Sequence, residues 1–346
     1  MSADAHPAAP SPPGTDDHRS RAPERREQWV GHLEAWALLA LTILIGIFFS
    51  VYPETAATFP TAQNMQTLLA NQSVIALVAL AALVPLILGQ FDLSVGATLG
   101  LSSVFGAAAM ANGAPVWLAL LIAIVLGLAV GFANGFVVTR TRVNAVIVTL
   151  GMATVLHGVV TQKTKGLSIA SGIPSSLTDF GSATWLGIPR PIFVLLAVAL
   201  GLHYLLSHTP FGRYLYSMGS NEEAARLVGL NTRRLLLLSF VISGVLAGGA
   251  GLLQVARAGS ASAQVGESFT LPALAAAFLS AAAIKPGRFN VWGVLVAVLF
   301  LAVINSGLNL AGVPSYINDY VNGVALVVGV SLAVFLGRQR VGGSSQ

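Results

Sequence analysis

Apolar residues fill this chain in long unbroken runs separated by short polar segments. The runs do not alternate apolar with polar, so they predict helices rather than the strands of a membrane barrel. In order they cover 36–52, 74–88, 95–111, 116–138, 145–160, 191–206, 235–255, 271–284, 291–311 and 317–336. Several fall short of the roughly 20 residues a perpendicular span needs. The second, which contains Pro85, the third and the eighth are open to being broken or partly re-entrant. The pattern therefore predicts an all-α polytopic membrane protein of about ten transmembrane helices.

Two polar stretches stand apart from this frame. Residues 1–28 are rich in Pro, Ala, Ser and charge, cannot form a packed core, and are expected to be a disordered tail on the cytoplasmic side. They do not read as a cleavable leader, because the first apolar run starts only near Trp36. The membrane-spanning body is expected over 29–340, with a short tail at 341–346. The second stretch, 212–231, reads GRYLYSMGSNEEAARLVGLN and is the long polar interruption with a helix pattern of its own. Asn221 is placed to cap, Glu222 and Glu223 fall in a first turn, Ala224, Ala225, Arg226 and Leu227 favour helix, and Gly229 is a natural stop. One short amphipathic helix of about two or three turns is expected, tethered to a span on each side. Such a helix is either a plain solvated loop or a lever that moves both spans.

Composition agrees with the pattern: 55% of the 346 residues are hydrophobic and 9% charged, against about 25% charged in soluble domains. Mean hydropathy is +0.78. The 36 glycines suit close helix–helix contact in lipid. The absence of cysteine excludes disulfides, iron–sulfur clusters and thiol catalysis. Charge also gives a topology. With the N-terminus inside and ten alternating spans, Lys163, Lys165, Arg190 and Arg257 fall outside, and the other fourteen of the 18 basic residues fall inside. Basic residues concentrate on the cytoplasmic side, so both termini and the 212–231 segment are expected there. The net charge of +5 is spread over short loops and is no nucleic-acid signal.

The chemistry-bearing residues are few. Asp92, in GQFDLSVG, is an acid close to lipid, read chiefly as a cap for the third helix and secondarily as a solute contact. Asn134 and Gly135 close the fourth run; Asn144 is an N-cap for the fifth, and Thr149 can bond back to its own helix. Arg257 and Glu267 flank the small polar segment 258–266, as an ion pair or as the mouth of a pathway. Asn305 and Asn309 share one helix face, and with Asn318, Asp319 and Asn322 they either glue helices or line a polar route. His157, His203 and His208 lack ligand spacing, so no metal is expected. No catalytic set and no GxxxxGK[ST] phosphate cradle is present in the sequence. The chain is therefore not expected to be an enzyme, nor to bind a cofactor.

The segment GRYLYSMGSNEEAARLVGLNTRR resembles the cytoplasmic coupling segment of permease subunits of monosaccharide ABC importers, the ribose/xylose type. The likeness rests on Gly212, Arg213, Gly219, Asn221, the run Glu223–Ala225 and Gly229. Further matches run in order from about Asn71 to Phe335. GQFDLSVG is similar to a Gly-Gly-Ile-Asp-Leu-Ser-Val-Gly signature, with Gln90 and Phe91 replacing Gly and Ile. NAVIVTLG resembles the family's Phe-Ile-Val-Thr-Leu-Gly stretch, and NSGLNL its Asn-Asn/Ser-Gly-Leu-Asn-Leu pattern. SAAAIKPGR replaces most of a glycine-rich turn and keeps Gly287. The resemblance implies a second permease chain, identical or a close paralogue, a cytoplasmic ATPase that uses the ATP, and an external substrate-binding protein, periplasmic or lipid-anchored. It implies that Gly212, Arg213, Gly219, Asn221, Glu222, Glu223, Ala224, Ala225 and Gly229 couple to the ATPase. Asp92, Asn144, Glu267, Asn305 and Asn309 are the candidates for the solute pathway. The rival readings are an ion-coupled secondary transporter, which needs carboxylates deep in the spans, and a scaffold or channel.

Overall fold

The computed structural model describes residues 21–342, with side chains from 35 to 335. The expected tail thus lies mostly outside the described residues, and its last residues belong to the first helix, α1 (Arg21–Val51). The remaining membrane helices are α2 (Ala62–Ile87), α3 (Val95–Ala111), α4 (Val116–Thr141), α5 (Ala145–Thr164), α7 (Arg190–His208), α10 (Thr232–Ala258), α11 (Val265–Leu279), α12 (Val291–Leu310) and α13 (Tyr316–Gly342). Among the described residues eight helices are long and apolar enough to cross a bilayer, and the apolar parts of α1 and α3 are shorter. Between α5 and α7 lie a short helix, α6 (Ser175–Ser182), and a two-stranded hairpin, β1 (Thr184–Trp185) with β2 (Ile188–Pro189). The polar 212–231 segment contributes α8 (Pro210–Ser220) and α9 (Glu222–Leu227).

The starts of α2 and α11 differ from the sequence reading in ways that bear on the site. α2 starts at Ala62 rather than near 74, because Thr61 caps it by accepting from the Asn64 N–H at 3.2 Å. Its polar first turns, with Gln63, Asn64, Gln66 and Thr67, extend past the apolar run; Gln66 Nε2 donates to the Gly187 carbonyl at 3.0 Å in the hairpin. Pro85 sits in the last turn and ends the helix rather than kinking it. α11 starts at Val265, ahead of the expected 271, and a 3-10 turn over Ser280–Ala282 extends it toward the loop at 283–290.

Of the eight long helices α2 is the most enclosed, with Val78 through Val84 almost wholly shielded. It packs against α10, α11, α12 and α7. α10 lies against α4 through glycine: a Cβ at Gly127 would overlap the Gly244 carbonyl, and one at Gly131 the Phe240 carbonyl. Backbone touches backbone along this crossing, the small-residue packing that helices use in lipid. The opposite side of α4 displays Trp117, Leu121, Val125, Leu128, Phe132 and Phe136. Spaced three or four apart, they form one apolar face suited to acyl chains.

Candidate functional site

At one end of the bundle, α8 and α9 form a bent polar rod. Thr209 caps α8, its Oγ1 accepting from the Gly212 N–H at 3.5 Å, with Pro210 at the first helical position. Gly212, Leu215 and Met218 face inward. A Cβ at Gly212 would overlap the backbone of Leu206 at the end of α7, and a Cβ at Gly219 the Ile87 carbonyl at the end of α2. The expected single helix is interrupted: Asn221 is extended, with φ −156° and ψ 104°, which stops α8 and starts α9. Its Oδ1 accepts from the Ala224 N–H at 2.9 Å. Glu222 and Glu223 occupy the first turn of α9 and stand in solvent, while Ala225 is buried. Gly229, at φ +84°, closes the helix, and the Leu230 N–H reaches back to the Ala225 carbonyl at 3.1 Å. Leu227 and Val228, at 87% and 77% exposed, cap the tip with apolar surface that none of the described residues covers.

The rod is fastened to the bundle at both flanks. Tyr216 Oη donates to the Phe289 carbonyl at 2.8 Å, and the Arg288 guanidinium lies 3.7 Å over the Tyr216 ring. Phe289 meets Phe278 of α11 at 6.0 Å between centroids, and Phe278 meets Phe91 at 5.4 Å. Open clefts of about 900 and 1150 Å³ lie on either side of the rod. The first holds Glu222, Glu223, Arg226, Asn231, Gln90, Arg142 and Asn144. Asn144 caps α5 there, accepting from the Val146 N–H at 2.8 Å.

Phe91 belongs to the linker 88–94 between α2 and α3. The N-cap of α3 is Ser94 rather than Asp92, whose carboxylate instead ties the linker to the bundle. Its Oδ1 accepts from the Ser94 N–H at 3.0 Å and the Ser94 hydroxyl at 2.6 Å; its Oδ2 accepts from Ser243 of α10 at 2.9 Å. Asn134 of α4 donates to Ser94 Oγ at 2.8 Å. Thr149 of α5 bonds back to the Ala145 carbonyl at 2.9 Å and accepts the Leu93 N–H at 3.1 Å. Asp92, Ser94, Asn134 and Ser243 are all essentially inaccessible. Asp92→Ala strands the Ser94 amide and two hydroxyls, and an unmade buried hydrogen bond costs about 1–3 kcal/mol. The expected result is a loss of roughly 3 kcal/mol, read as a lower thermal midpoint in detergent, with Ser243→Ala losing about 1 kcal/mol.

The other candidates separate. Glu267 does not pair with Arg257: its Oε1 lies 3.2 Å from His157 Nδ1, whereas Arg257 donates to the Gly181 carbonyl at 2.7 Å and to Asn71 at 2.6 Å. α10 ends at Ala258 with Gly259 left-handed at φ +64°, which turns the chain so that Arg257 and Glu267 face different neighbours. Asn309 accepts from Asn318 at 2.9 Å and Asn305 donates to Asn322 at 3.5 Å, so the asparagine cluster joins α12 to α13. One acid, Asp92, lies deeper in the bundle than a span end. Asp92 meets Ser243, about 16 Å along α10 at 1.5 Å per residue. The His157–Glu267 contact went unread because its residues lie on α5 and α11, far apart in sequence; an acid two residues into a span was the available signal.

A bundle of membrane-spanning helices with a polar, backbone-anchored rod at one end makes this a multi-pass membrane protein. The profile of a family described as branched-chain amino acid transport system, permease component, matches residues 64–330, and the chain belongs to that family. It is 34% identical over 304 residues to the ribose import permease protein RbsC of Escherichia coli K12, covering 86% of this chain and 92% of that one. It is 32% identical to the D-allose transport system permease protein AlsC of the same strain, covering 84% and 89%. Identity to the autoinducer 2 import system permease protein LsrC of Photorhabdus laumondii is 29%, covering 89% and 90%. In fold the chain is similar to a solved metal-chelate type ABC transporter in an inward-facing conformation, with a TM-score of 0.53 at 17% identity over 86% of this chain and 98% of that one.

Proposed function

We propose that this chain is the membrane subunit through which a monosaccharide or related small polar solute enters a bacterial cell, driven by ATP hydrolysis on a separate subunit. The observation that carries the reading is the α8–α9 rod: glycine-seated on the ends of α2 and α7, and tipped with uncovered Leu227 and Val228. A partner docked on that tip moves α7 and α10 together, since they flank the rod in the chain. Gly212, Arg213, Gly219, Asn221, Glu222, Glu223, Ala224, Ala225 and Gly229 form the coupling surface on this reading. The charge bias supports a cytoplasmic position for that surface and both termini. A second permease chain completes the pathway, and a binding protein delivers solute at the hairpin end. ATP binding and hydrolysis supply the free-energy difference between inward- and outward-facing states.

Vesicles carrying the chain with its ATPase and binding protein test this. Labelled neutral monosaccharide should accumulate only with ATP, and vesicles lacking the ATPase should stay empty under proton or sodium gradients. Gradient-driven uptake by the chain alone would overturn the reading in favour of an ion-coupled transporter.

A further inference from the structure

Asp92 is consumed by internal bonds, and the asparagines of α12 and α13 bond one another. Another polar pair among the described residues opens onto a pocket. His157 and Glu267 line a pocket of about 280 Å³ between α3, α5 and α11, together with Thr154, Thr270 and Gly100. Their side chains are 42% and 72% exposed although both helices cross the bundle. His157 lies about 18 Å along α5 at 1.5 Å per residue, well within a hydrocarbon core about 30 Å thick. An ionisable pair at that depth does not face acyl chains; it faces water, solute or another chain.

We infer that this pocket holds the solute in transit, and that His157 and Glu267 select it as a neutral polyhydroxylated molecule. The inference rests on the proposed transport role and deepens it. The lining is largely apolar, and its few polar groups present acceptors. With its Nδ1 proton on Glu267 Oε1, the imidazole presents Nε2, an acceptor in the neutral ring. The carboxylate keeps Oε2 for a second donor. Thr154 Oγ1 donates its own proton to the Leu150 carbonyl at 3.0 Å, and Thr270 Oγ1 to the Gly266 carbonyl at 3.3 Å, which leaves both oxygens as acceptors. Sugar hydroxyls are donors that match such a set, and a carboxylate hydrogen-bonded to them is a strong, directional contact. The same carboxylate repels a phosphorylated or acidic sugar. Size agrees: the volume falls just under the roughly 300–1,000 Å³ of drug-sized sites. Backbone closeness shapes it too, because a Cβ at Gly96 would overlap the Gly266 carbonyl, so α3 and α11 meet without side chains to fill the space.

The test uses the complete transporter in vesicles and a labelled panel of D-ribose, D-xylose, D-allose and D-glucose. Sugar carried per ATP hydrolysed should fall at least about tenfold in Glu267→Ala, the loss expected for a hydrogen bond to a charged group. Nucleotide hydrolysis should remain stimulated by the loaded binding protein. Glu267→Gln, which keeps an acceptor oxygen, should recover part of the loss. An unchanged sugar-to-ATP ratio in Glu267→Ala overturns the inference, as does carriage of D-ribose 5-phosphate by the wild type at the rate of the neutral sugar. Should Glu267→Ala fail to assemble, Thr270→Val decides by the same ratio, a drop supporting the inference and no change overturning it. A wild type that carries no neutral sugar under ATP instead defeats the broader transport reading.

Discussion

A Gly244→Ala chain is expected to lose most of its folded yield. The new methyl would overlap the Gly127 carbonyl and crowd the backbone of Gly131, and neither can step aside without moving all of α4. Overpacking a well-filled interior costs about 1–3 kcal/mol even where side chains can yield; here only backbone faces the intruder, so the upper end or more is expected. α4 and α10 form the largest helix–helix contact in the bundle, and Gly248 makes the same approach to the Ala123 carbonyl one turn on. Loss of this seam also pulls Asn134 away from Ser94. The control lies next door: Gly249 has nothing near its missing Cβ, so Gly249→Ala should be neutral or slightly stabilising, since alanine gains about 0.5–1 kcal/mol over glycine in a helix interior. Monodisperse elution and thermal midpoint in detergent read both variants, and equal behaviour of the two would refute the argument.

The second large effect is functional. Replacing Leu227 and Val228 together by aspartate should lower ATP-driven uptake by about a hundredfold or more with an unaltered thermal midpoint. Both side chains stand outside the folded core, so the monomer loses almost nothing. On the proposed reading both become buried when the ATPase docks. Full burial of such a side chain is worth about 1.5–3 kcal/mol, so the pair contributes about 3 kcal/mol or more, over two decades in affinity. Two carboxylates forced into that contact worsen it. Glu223→Arg should act in the same direction by reversing charge in the first turn of α9, and Gly229→Val by straining a backbone held at φ +84°. Pull-down of the ATPase, with uptake alongside, reads all of these; normal uptake by the double aspartate chain would remove the rod from the coupling role.

Much of the architecture was legible because lipid permits few solutions. Unbroken apolar runs gave ten helices at nearly the observed places, and Asn221 and Gly229 marked one start and one stop within the polar rod. The bend at Asn221 was less legible: a residue that starts one helix by turning extended also ends the helix before it, and the apolar pattern of Leu215 and Met218 reads on smoothly across the join. The site was harder because its contacts are long-range. Asp92 announces a cap by local spacing, but Ser243, 151 positions away, is invisible as its partner among other small residues of α10. His157 and Glu267 meet only because glycines on α3 and α11 let the helices close, and small residues leave no periodic signature of their depth.

The bonds from Asp92 to α10, from Ser94 to α4 and from the 88–94 linker to α5 have a kinetic corollary. With the glycine seam beside them, they weld α3, α4 and α10 into one slab, in which polar bonds shielded from water would have to rupture before any piece could slide. Shape change during a transport cycle is then confined to the borders of that slab. Amide protons within it should exchange last, and the moving boundary should run along α11, where the rod’s aromatic tether through Phe289 and Phe278 arrives.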